Sequence, residues 1–189
     1  MKFSVITFNT LGTPLFAPDI TKRYKKLAEL IDKSNATFVC LQEVTTYYHL
    51  FLLKKNLQKY PYQSYQKFLY GPKGGLVIFS KLPLENTTYT EFQTLGQMTN
   101  VTFYTRLLRN GILTCRVKEY GLTIMTTHLV CDFVFDYTPD NKLYSQVKQQ
   151  VHHVITQVTQ AKKMQQNIIL CGDYAMLEYA GQFFLCKCL

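Results

Sequence analysis

The sequence lacks the features of a membrane-spanning, secreted or repetitive protein. No stretch approaches the run of about 20 apolar residues that a membrane span needs, and no repeat, linker or low-complexity segment is present. The first residues, Met1 to Ile6, are too short and too alternating for a secretory signal. None of the 6 cysteines forms a CxxC pair, and we interpret them as reduced thiols. We therefore expect one domain over residues 1–189 and a cytoplasmic location.

The composition is that of a folded and basic protein. Apolar residues make up 47% of the chain and aromatic residues 14%, which is enough for a packed core and argues against disorder. The net charge of +9 comes from 21 basic and 12 acidic residues. It favours anionic partners such as nucleic acid, phosphoesters or an anionic lipid surface. A basic surface without such a partner is the alternative.

The stretch from Thr37 to Val44 is the most informative in the chain. Its apolar run, Phe38 to Leu41, predicts a strand buried on both faces. Gln42 and Glu43 follow at once, and a carboxylate at the end of a buried strand is costly unless a cation or hydrogen bonds meet it. Glu43 is therefore the first candidate metal ligand. A role as the cap of the following helix is the alternative.

Hydrophobic periodicity divides the first half of the chain into strands and helices. The alternation from Phe3 to Phe8 predicts a first strand. Asp19 is placed to cap a helix from about Ile20 to Lys33, and a second helix is expected from about Thr45 to Lys59. The apolar positions that recur at helical spacing are Tyr24, Leu27, Leu30 and Ile31 in the first helix and Tyr48, Phe51, Leu52 and Leu57 in the second. Two further strands are predicted, Tyr62 to Leu69 and Leu76 to Phe79.

The second half is predicted to consist mainly of strands. These are Glu85 to Phe92, Val101 to Leu108, Ile112 to Val117, Leu122 to Thr127 and Asn167 to Cys171. Asn110-Gly111 predicts a hairpin turn, and a long helix is expected from about Lys142 to Lys163, followed after Tyr174 by a short helix and an apolar tail. This order predicts an α/β fold with a mixed sheet, or two packed sheets, and helices outside.

Four polar residues end the predicted buried strands: Asn9, Glu43, His128 and Asp173. If these strand ends meet at one edge, a metal and phosphate site forms there. Taken singly, each has a structural alternative. Asn9 suits a turn, His128 a hydrogen-bonded strand end, and Asp173 a helix cap.

Five motifs in order resemble the endonuclease/exonuclease/phosphatase superfamily. They are Asn9 within Thr-Phe-Asn-Thr-Leu, Leu41-Gln42-Glu43-Val44, Gly75-Leu76-Val77-Ile78-Phe79-Ser80, Thr127-His128-Leu129 and Gly172-Asp173-Tyr174. No single motif is specific, but their order and separation across almost the whole chain are.

The resemblance implies a four-layer sandwich of two β-sheets flanked by helices, and hydrolysis of a phosphoester that depends on Mg²⁺ or Mn²⁺. It implies that Glu43 ligates the metal as a hard oxygen donor, with Asn9 in support. It assigns to Asp173 the orientation or deprotonation of the attacking water, and to His128 a contact with the scissile phosphate. Asn110 and Lys142 are candidate substrate-binding residues, and the substrate would be a nucleic acid or a phospholipid head group.

Three features depart from the family pattern. Ala175 stands where the family has an asparagine, and the loss of such a polar donor typically costs about 10²–10³ in rate. The family's later Asp-His pair does not occur in this sequence, so the last strands are expected to be missing and the domain to be incomplete at its C-terminus. No arginine follows Arg116, and the predicted helix from Lys142 offers lysine and glutamine instead.

Three hypotheses follow. The chain is a metal-dependent phosphodiesterase or phosphatase with a reduced site, or a catalytically inactive relative that keeps metal or phosphate binding, or a basic nucleic-acid-binding module without chemistry. Salt-dependent DNA binding without cleavage would favour the third hypothesis.

Overall fold

The structure is a computed structural model that describes residues 2–13, 18–94, 103–130, 142–174 and 187–188. Its first sheet has four strands in the order β1-β2-β4-β3. These are β1 (Val5–Asn9), β2 (Phe38–Gln42), β3 (Tyr62–Ser64) and β4 (Val77–Ser80). Its second sheet has five strands in the order β5-β6-β7-β8-β9. These are β5 (Glu85–Glu91), β6 (Gly111–Val117), β7 (Leu122–His128), β8 (Asn167–Asp173) and the short β9 (Lys187–Cys188).

Helices cover the outer faces of the two sheets. They are α1 (Ile20–Ser34) and α2 (Tyr47–Asn56) on the first sheet and α4 (Lys142–Lys163) on the second, while the short α3 (Phe103–Leu108) precedes β6 in the chain. One apolar cluster lies between α1, α2 and the first sheet, a second lies between the sheets, and a third lies between the second sheet and α4. The fold class predicted from the sequence is confirmed: two mixed sheets flanked by helices form an α/β sandwich.

Two parallel strand pairs bring the candidate site residues together. β1 pairs with β2 so that Asn9 lies opposite Gln42, and β7 pairs with β8 so that His128 lies opposite Asp173. Because parallel strands end at the same edge of a sheet, each pair presents its polar end residues side by side. A side-chain contact from Asn9 to Asp173 shows that both pairs end at the same edge of the sandwich.

A buried polar contact joins the two sheets close to this edge. The Gln42 Nε2 atom donates to Thr126 Oγ1 of the second sheet at 3.1 Å and to Thr7 Oγ1 of the first at 3.2 Å. Gln42 is fully buried, so these bonds form in a low-dielectric interior where a misplaced amide is costly. They therefore hold the relative position of the two strand ends.

The predicted strand from Val101 to Leu108 is wrong where the structure describes it, because residues 103–108 form α3. The predicted hairpin turn at Asn110-Gly111 is also wrong. Gly111 already belongs to β6 and pairs with Glu91, so β5 and β6 are direct neighbours and α3 lies in the connection between them. The backbone of Arg109 takes a left-handed conformation (φ 60°), which ends the helix before β6 begins.

Other local predictions are corrected in part. Asp19 occupies the position before α1, but its side chain makes no capping hydrogen bond. The strand expected from Tyr62 to Leu69 is limited to Tyr62–Ser64. Three residues expected to face the core are more than half exposed, Leu30, Tyr48 and Phe51. Ile155, which helical periodicity assigns to the apolar stripe of the helix from Lys142, is also more than half exposed. Residues 95–102 and 131–141, and the chain after Tyr174 except β9, lie outside the described residues, and the predictions made for them remain predictions.

Within the described ranges, no helix is both long enough and apolar enough to cross a bilayer.

Candidate functional site

Glu43 follows β2 in a strained backbone conformation. Its φ of 59° lies in the left-handed region, which residues other than glycine rarely adopt. The next residue fixes this turn, because the Val44 N–H donates to the Gly75 carbonyl at 2.9 Å. Strain of this kind persists only where the surroundings impose it, and it is concentrated at functional sites. The conformation places the Glu43 carboxylate at the edge where the strands end.

Asn9 connects the two carboxylates of the site. Its Nδ2 atom donates to Glu43 Oε1 and to Asp173 Oδ2, each at 2.8 Å. Its Oδ1 atom accepts from the Leu11 N–H at 2.9 Å, which fixes the orientation of the amide. The amide therefore separates two negative charges and holds one from each sheet.

His128 lies beside Asp173. The His128 Nε2 atom is 3.7 Å from Asp173 Oδ2, which is close enough for an ion pair when the ring is protonated but too long for a hydrogen bond. The side chain is 12% exposed, and its Nδ1 atom is buried without a hydrogen-bond partner in the part of the chain described here. The Nε2 atom of the ring is therefore the one that lies toward Asp173.

A buried network supports the loop behind Glu43. Thr13 Oγ1 donates to Glu43 Oε2 at 3.2 Å. Thr10 shares a 2.7 Å hydrogen bond with Tyr24 Oη and donates to the Gln42 carbonyl at 2.9 Å. Burial raises the pKa of Tyr24 to about 12, so its hydroxyl stays neutral and keeps this bond at all ordinary pH values.

Two cations lie on the same edge, held by one carboxylate. Glu91, at the end of β5, accepts from Lys73 Nζ and from Arg109 Nε, both at 2.9 Å. Tyr89 Oη donates to the Arg109 carbonyl at 2.7 Å and so fixes the backbone of this residue. The Arg109 side chain is 48% exposed. The edge therefore combines a carboxylate pair with positively charged groups, as an anion and a metal together would require.

The remaining two candidates have different positions. Asn110 is buried, and its Nδ2 atom donates to the His128 carbonyl at 3.0 Å, so it contacts the site through the backbone of β7. Lys142 is exposed at the first residue of α4, and no contact within the described ranges links it to the other site residues.

Sequence reasoning missed Thr13 and Arg109. Thr13 follows Gly12 in the polar turn after β1, and only its proximity to Glu43 distinguishes it from any turn threonine. Arg109 precedes Asn110-Gly111, which the sequence presents as a hairpin turn. A search for basic residues next to the strand ends would have found it.

The donor set is suited to a small hard cation. Glu43 accepts hydrogen bonds only from neutral groups in the described structure, the Asn9 amide and the Thr13 hydroxyl, so its charge is not offset by them. No cluster of three or more His, Cys, Asp or Glu side chains in the described structure is arranged to enclose a metal. Mg²⁺ commonly binds through one or two carboxylates and keeps several waters, and the site matches that pattern.

The fold and the site together define the class of four-layer α/β sandwiches with a carboxylate pair where the strands of both sheets end. The model of the Endonuclease/Exonuclease/phosphatase family matches residues 6–174. The chain belongs to this family, as the sequence motifs predicted.

Solved structures show the same fold at low sequence identity. Humanized D. rerio TDP2 is 16% identical with a TM-score of 0.66, covering 93% of this chain and 63% of that one. Sphingomyelinase C from Streptomyces griseocarneus is 17% identical with a TM-score of 0.71, covering 95% of this chain and 66% of that one. A β toxin variant from Staphylococcus aureus with bound magnesium ions is 17% identical with a TM-score of 0.73, covering 96% of this chain and 67% of that one.

The chain thus spans about two thirds of the length of these proteins. No curated protein matches it significantly.

Proposed function

We propose that this protein is a phosphodiester hydrolase that requires Mg²⁺ or Mn²⁺. The observation that carries the proposal is the Asn9 amide, which donates at 2.8 Å to Glu43 on one sheet and to Asp173 on the other. Membership of the family and the magnesium ions in the β toxin variant support it.

Each residue has a role that fits its surroundings. Glu43 would hold the metal, and Asn9 would support it by orienting the Glu43 carboxylate through its amide N–H. The metal would offset negative charge on the phosphoryl oxygens and the leaving group. Asp173, oriented by the Asn9 amide, positions the attacking water and accepts its proton. His128 donates to a phosphoryl oxygen as charge develops there.

The substrate in this proposal is an anionic phosphoester of a nucleic acid or a phospholipid. TDP2 and sphingomyelinase C are the relatives that motivate these two classes. Lys142 and Asn110 are retained as proposed substrate-binding residues, Asn110 through its hold on the backbone of His128. The buried thiols of Cys115 and Cys171, which form no disulfide, are consistent with a proposed cytoplasmic location.

Hydrolysis of bis(4-nitrophenyl) phosphate with and without Mg²⁺ tests the proposal. Turnover is expected to require the metal and to fall at least about 10²-fold in Glu43→Ala, since the variant loses the carboxylate that would hold it. Glu29→Ala removes an exposed carboxylate from α1 and is the matched control, expected to leave the rate unchanged. Equal rates for the folded protein and Glu43→Ala would contradict the proposal.

Ala175 favours a second function, a relative that binds a metal without turnover. Mn²⁺ titration followed by thermal unfolding separates the two, because a cation that binds only the folded state raises its stability. A shift that disappears in Glu43→Ala, without hydrolysis of any phosphoester, would support the binding function.

A further inference from the structure

The segment between Glu43 and Glu85 contains no acidic residue. It carries six lysines: Lys54, Lys55, Lys59, Lys67, Lys73 and Lys81. Three of these have partners, since Lys59 pairs with Asp32, Lys73 with Glu91, and Lys81 with Tyr60 and Asn35. The exposed Lys54, Lys55 and Lys67 have no ion pair with any described residue.

The same segment carries six of the twelve large apolar side chains that are exposed on the described surface. We name five of these residues the docking face: Tyr47, Tyr48, Phe51, Leu69 and Tyr70. Leu69 is 76% exposed, Phe51 58% and Tyr48 56%. Isolated exposed apolar residues are ordinary, but several on two elements that contact each other indicate an interaction site.

Hydrogen bonds fix the two halves of the docking face together. The Tyr47 N–H donates to the Tyr70 carbonyl at 2.9 Å, and Tyr47 Oη donates to the Phe68 carbonyl at 2.7 Å. The turn that carries Leu69 and Tyr70 is thus bound to the first turn of α2. The docking face is therefore a fixed surface formed by α2 and the turn that carries Leu69 and Tyr70.

The docking face borders the candidate site. Helix α2 begins four residues after Glu43 in sequence, and in the loop after the Leu69 turn the Gly75 carbonyl accepts a hydrogen bond from the Val44 N–H. A partner that covers the docking face therefore lies next to the edge where the carboxylates meet.

We propose that the docking face binds the surface of an anionic phospholipid bilayer. Tyrosine and phenylalanine suit the boundary between head groups and acyl chains, where an aromatic ring is apolar and a hydroxyl stays wet. The basic residues around them are lysines, whose flexible stems let the ammonium reach the anionic head groups while apolar neighbours insert.

A lipid surface fits these residues better than a single-stranded nucleic acid does. The most exposed side chain, Leu69, is aliphatic and offers no ring on which a base can stack. The segment contains no arginine, whose planar fork suits phosphate recognition in nucleic acids.

Vesicle flotation tests the proposal with the intact chain. Binding is expected to vesicles containing about 30% phosphatidylserine and to be much weaker to pure phosphatidylcholine, because the charge term requires anionic lipid. Two double variants are expected to weaken binding about tenfold or more. One removes apolar side chains, Leu69→Ser with Tyr70→Ser, and the other reverses charges, Lys54→Glu with Lys55→Glu. The melting temperature of each variant confirms that it is folded.

Matched control variants lie on α4, on the opposite outer face. Ile155→Ser removes an exposed aliphatic side chain, and Lys162→Glu with Lys163→Glu reverses two exposed charges. These are expected to bind as the unaltered protein does. Three results would overturn the proposal. Vesicle binding could fall equally in the docking-face and control variants, or not fall in the docking-face variants at all. The third result is that the docking face binds a single-stranded oligonucleotide and does not bind vesicles.

The experiment is independent of catalysis. Glu43→Ala is expected to bind vesicles normally, so an inactive protein does not imply a failed docking face.

Discussion

At the scale of single residues, Asn9 places one amide nitrogen between two carboxylates. Replacing it with alanine leaves Glu43 and Asp173 to repel each other without a donor between them. We expect Asn9→Ala to weaken Mn²⁺ binding and to lower any hydrolysis rate by about 10²–10³. Calorimetric titration with Mn²⁺ measures the first effect without relying on activity.

Asn56→Ala is the matched control for this change. Among the described residues, the Asn56 amide donates only to the Leu52 carbonyl within α2, so its loss leaves the site intact. If Asn9→Ala bound Mn²⁺ as tightly as Asn56→Ala, the proposed role of the amide bridge would be wrong.

His49 makes the stability of the protein dependent on pH. The side chain is 4% exposed, and burial lowers its pKa below the ordinary value of 6.5, so the folded state favours the neutral ring. The unfolded chain then binds the proton more readily. The stability that His49 contributes is full above pH 6.5 and is lost as the pH falls toward the lowered value.

The loss is at most about 1.4 kcal/mol for each pH unit in that window. His49→Asn keeps a polar atom near Thr45 but cannot titrate, so its free energy of unfolding is expected to fall less between pH 7.5 and 5.5, about the range in which histidine titrates. Urea denaturation at the two pH values measures this free energy of unfolding. His152→Asn, on an exposed position of α4, is expected to keep the pH dependence of the unaltered protein.

At the scale of elements, the loops after β1 and β2 are in contact without a side chain between them. A Cβ atom at Gly12 would lie 2.1 Å from the Glu43 carbonyl oxygen and 2.6 Å from Tyr24 Oη. We expect Gly12→Ala to cost about 1–3 kcal/mol and to displace Glu43, because neither neighbour can move freely. Unfolding and Mn²⁺ titration test both effects.

Gly121→Ala is the comparison for this loop variant. A Cβ there would contact nothing within 4 Å, but the φ of 56° makes alanine cost about 1–2 kcal/mol. Both variants are expected to lose stability, and only Gly12→Ala to lose metal affinity. A Gly12→Ala protein with unchanged affinity would show that the loop contact does not position Glu43.

Elements with a clear period could be predicted from the sequence, whereas α3 and the buried face of α2 could not. The helix predicted over Lys142–Lys163 is helical throughout and ends where predicted. Residues 47–53 are almost all apolar apart from His49, so periodicity could not choose between Tyr48 and Leu50 as the buried side. For α3, β-branched and aromatic residues favoured a strand, but the direct pairing of β5 with β6 leaves no place for one.

The candidate site was predictable because strand ends are visible in sequence and family order joins them. Asn9, Glu43, His128 and Asp173 come from four strands, and the structure brings all four together. The groups around them were not predictable, because the bond from the Thr13 hydroxyl to Glu43 and the pairing of Glu91 with Lys73 and Arg109 depend on distances between loops.

At the scale of the whole molecule, three cysteines lie fully buried in the apolar layer between the sheets: Cys40, Cys115 and Cys171. Burial also raises the pKa of Cys115 to about 12, which suppresses its thiolate. In a variant with Cys131, Cys186 and Cys188 replaced by serine, all three remaining thiols are expected to react only when the sheets separate.

Thiol labelling followed by mass spectrometry then gives an opening free energy for each cysteine. The three values are expected to equal the free energy of global unfolding measured with urea. If one of the three buried thiols reacted faster than the other two in this triple-serine protein, the sandwich would be shown to open locally.

Each sheet is built from one continuous part of the chain, the first from residues 5–80 and the second from residues 85–188. Asn9 and Glu43 belong to the first part, and His128 and Asp173 to the second. A cut in residues 81–84 would therefore yield two fragments, each with half of the site and one apolar sheet face exposed to water. Such fragments suit a complementation reporter, because metal binding and any hydrolysis would return only when two fused partners bring the halves together.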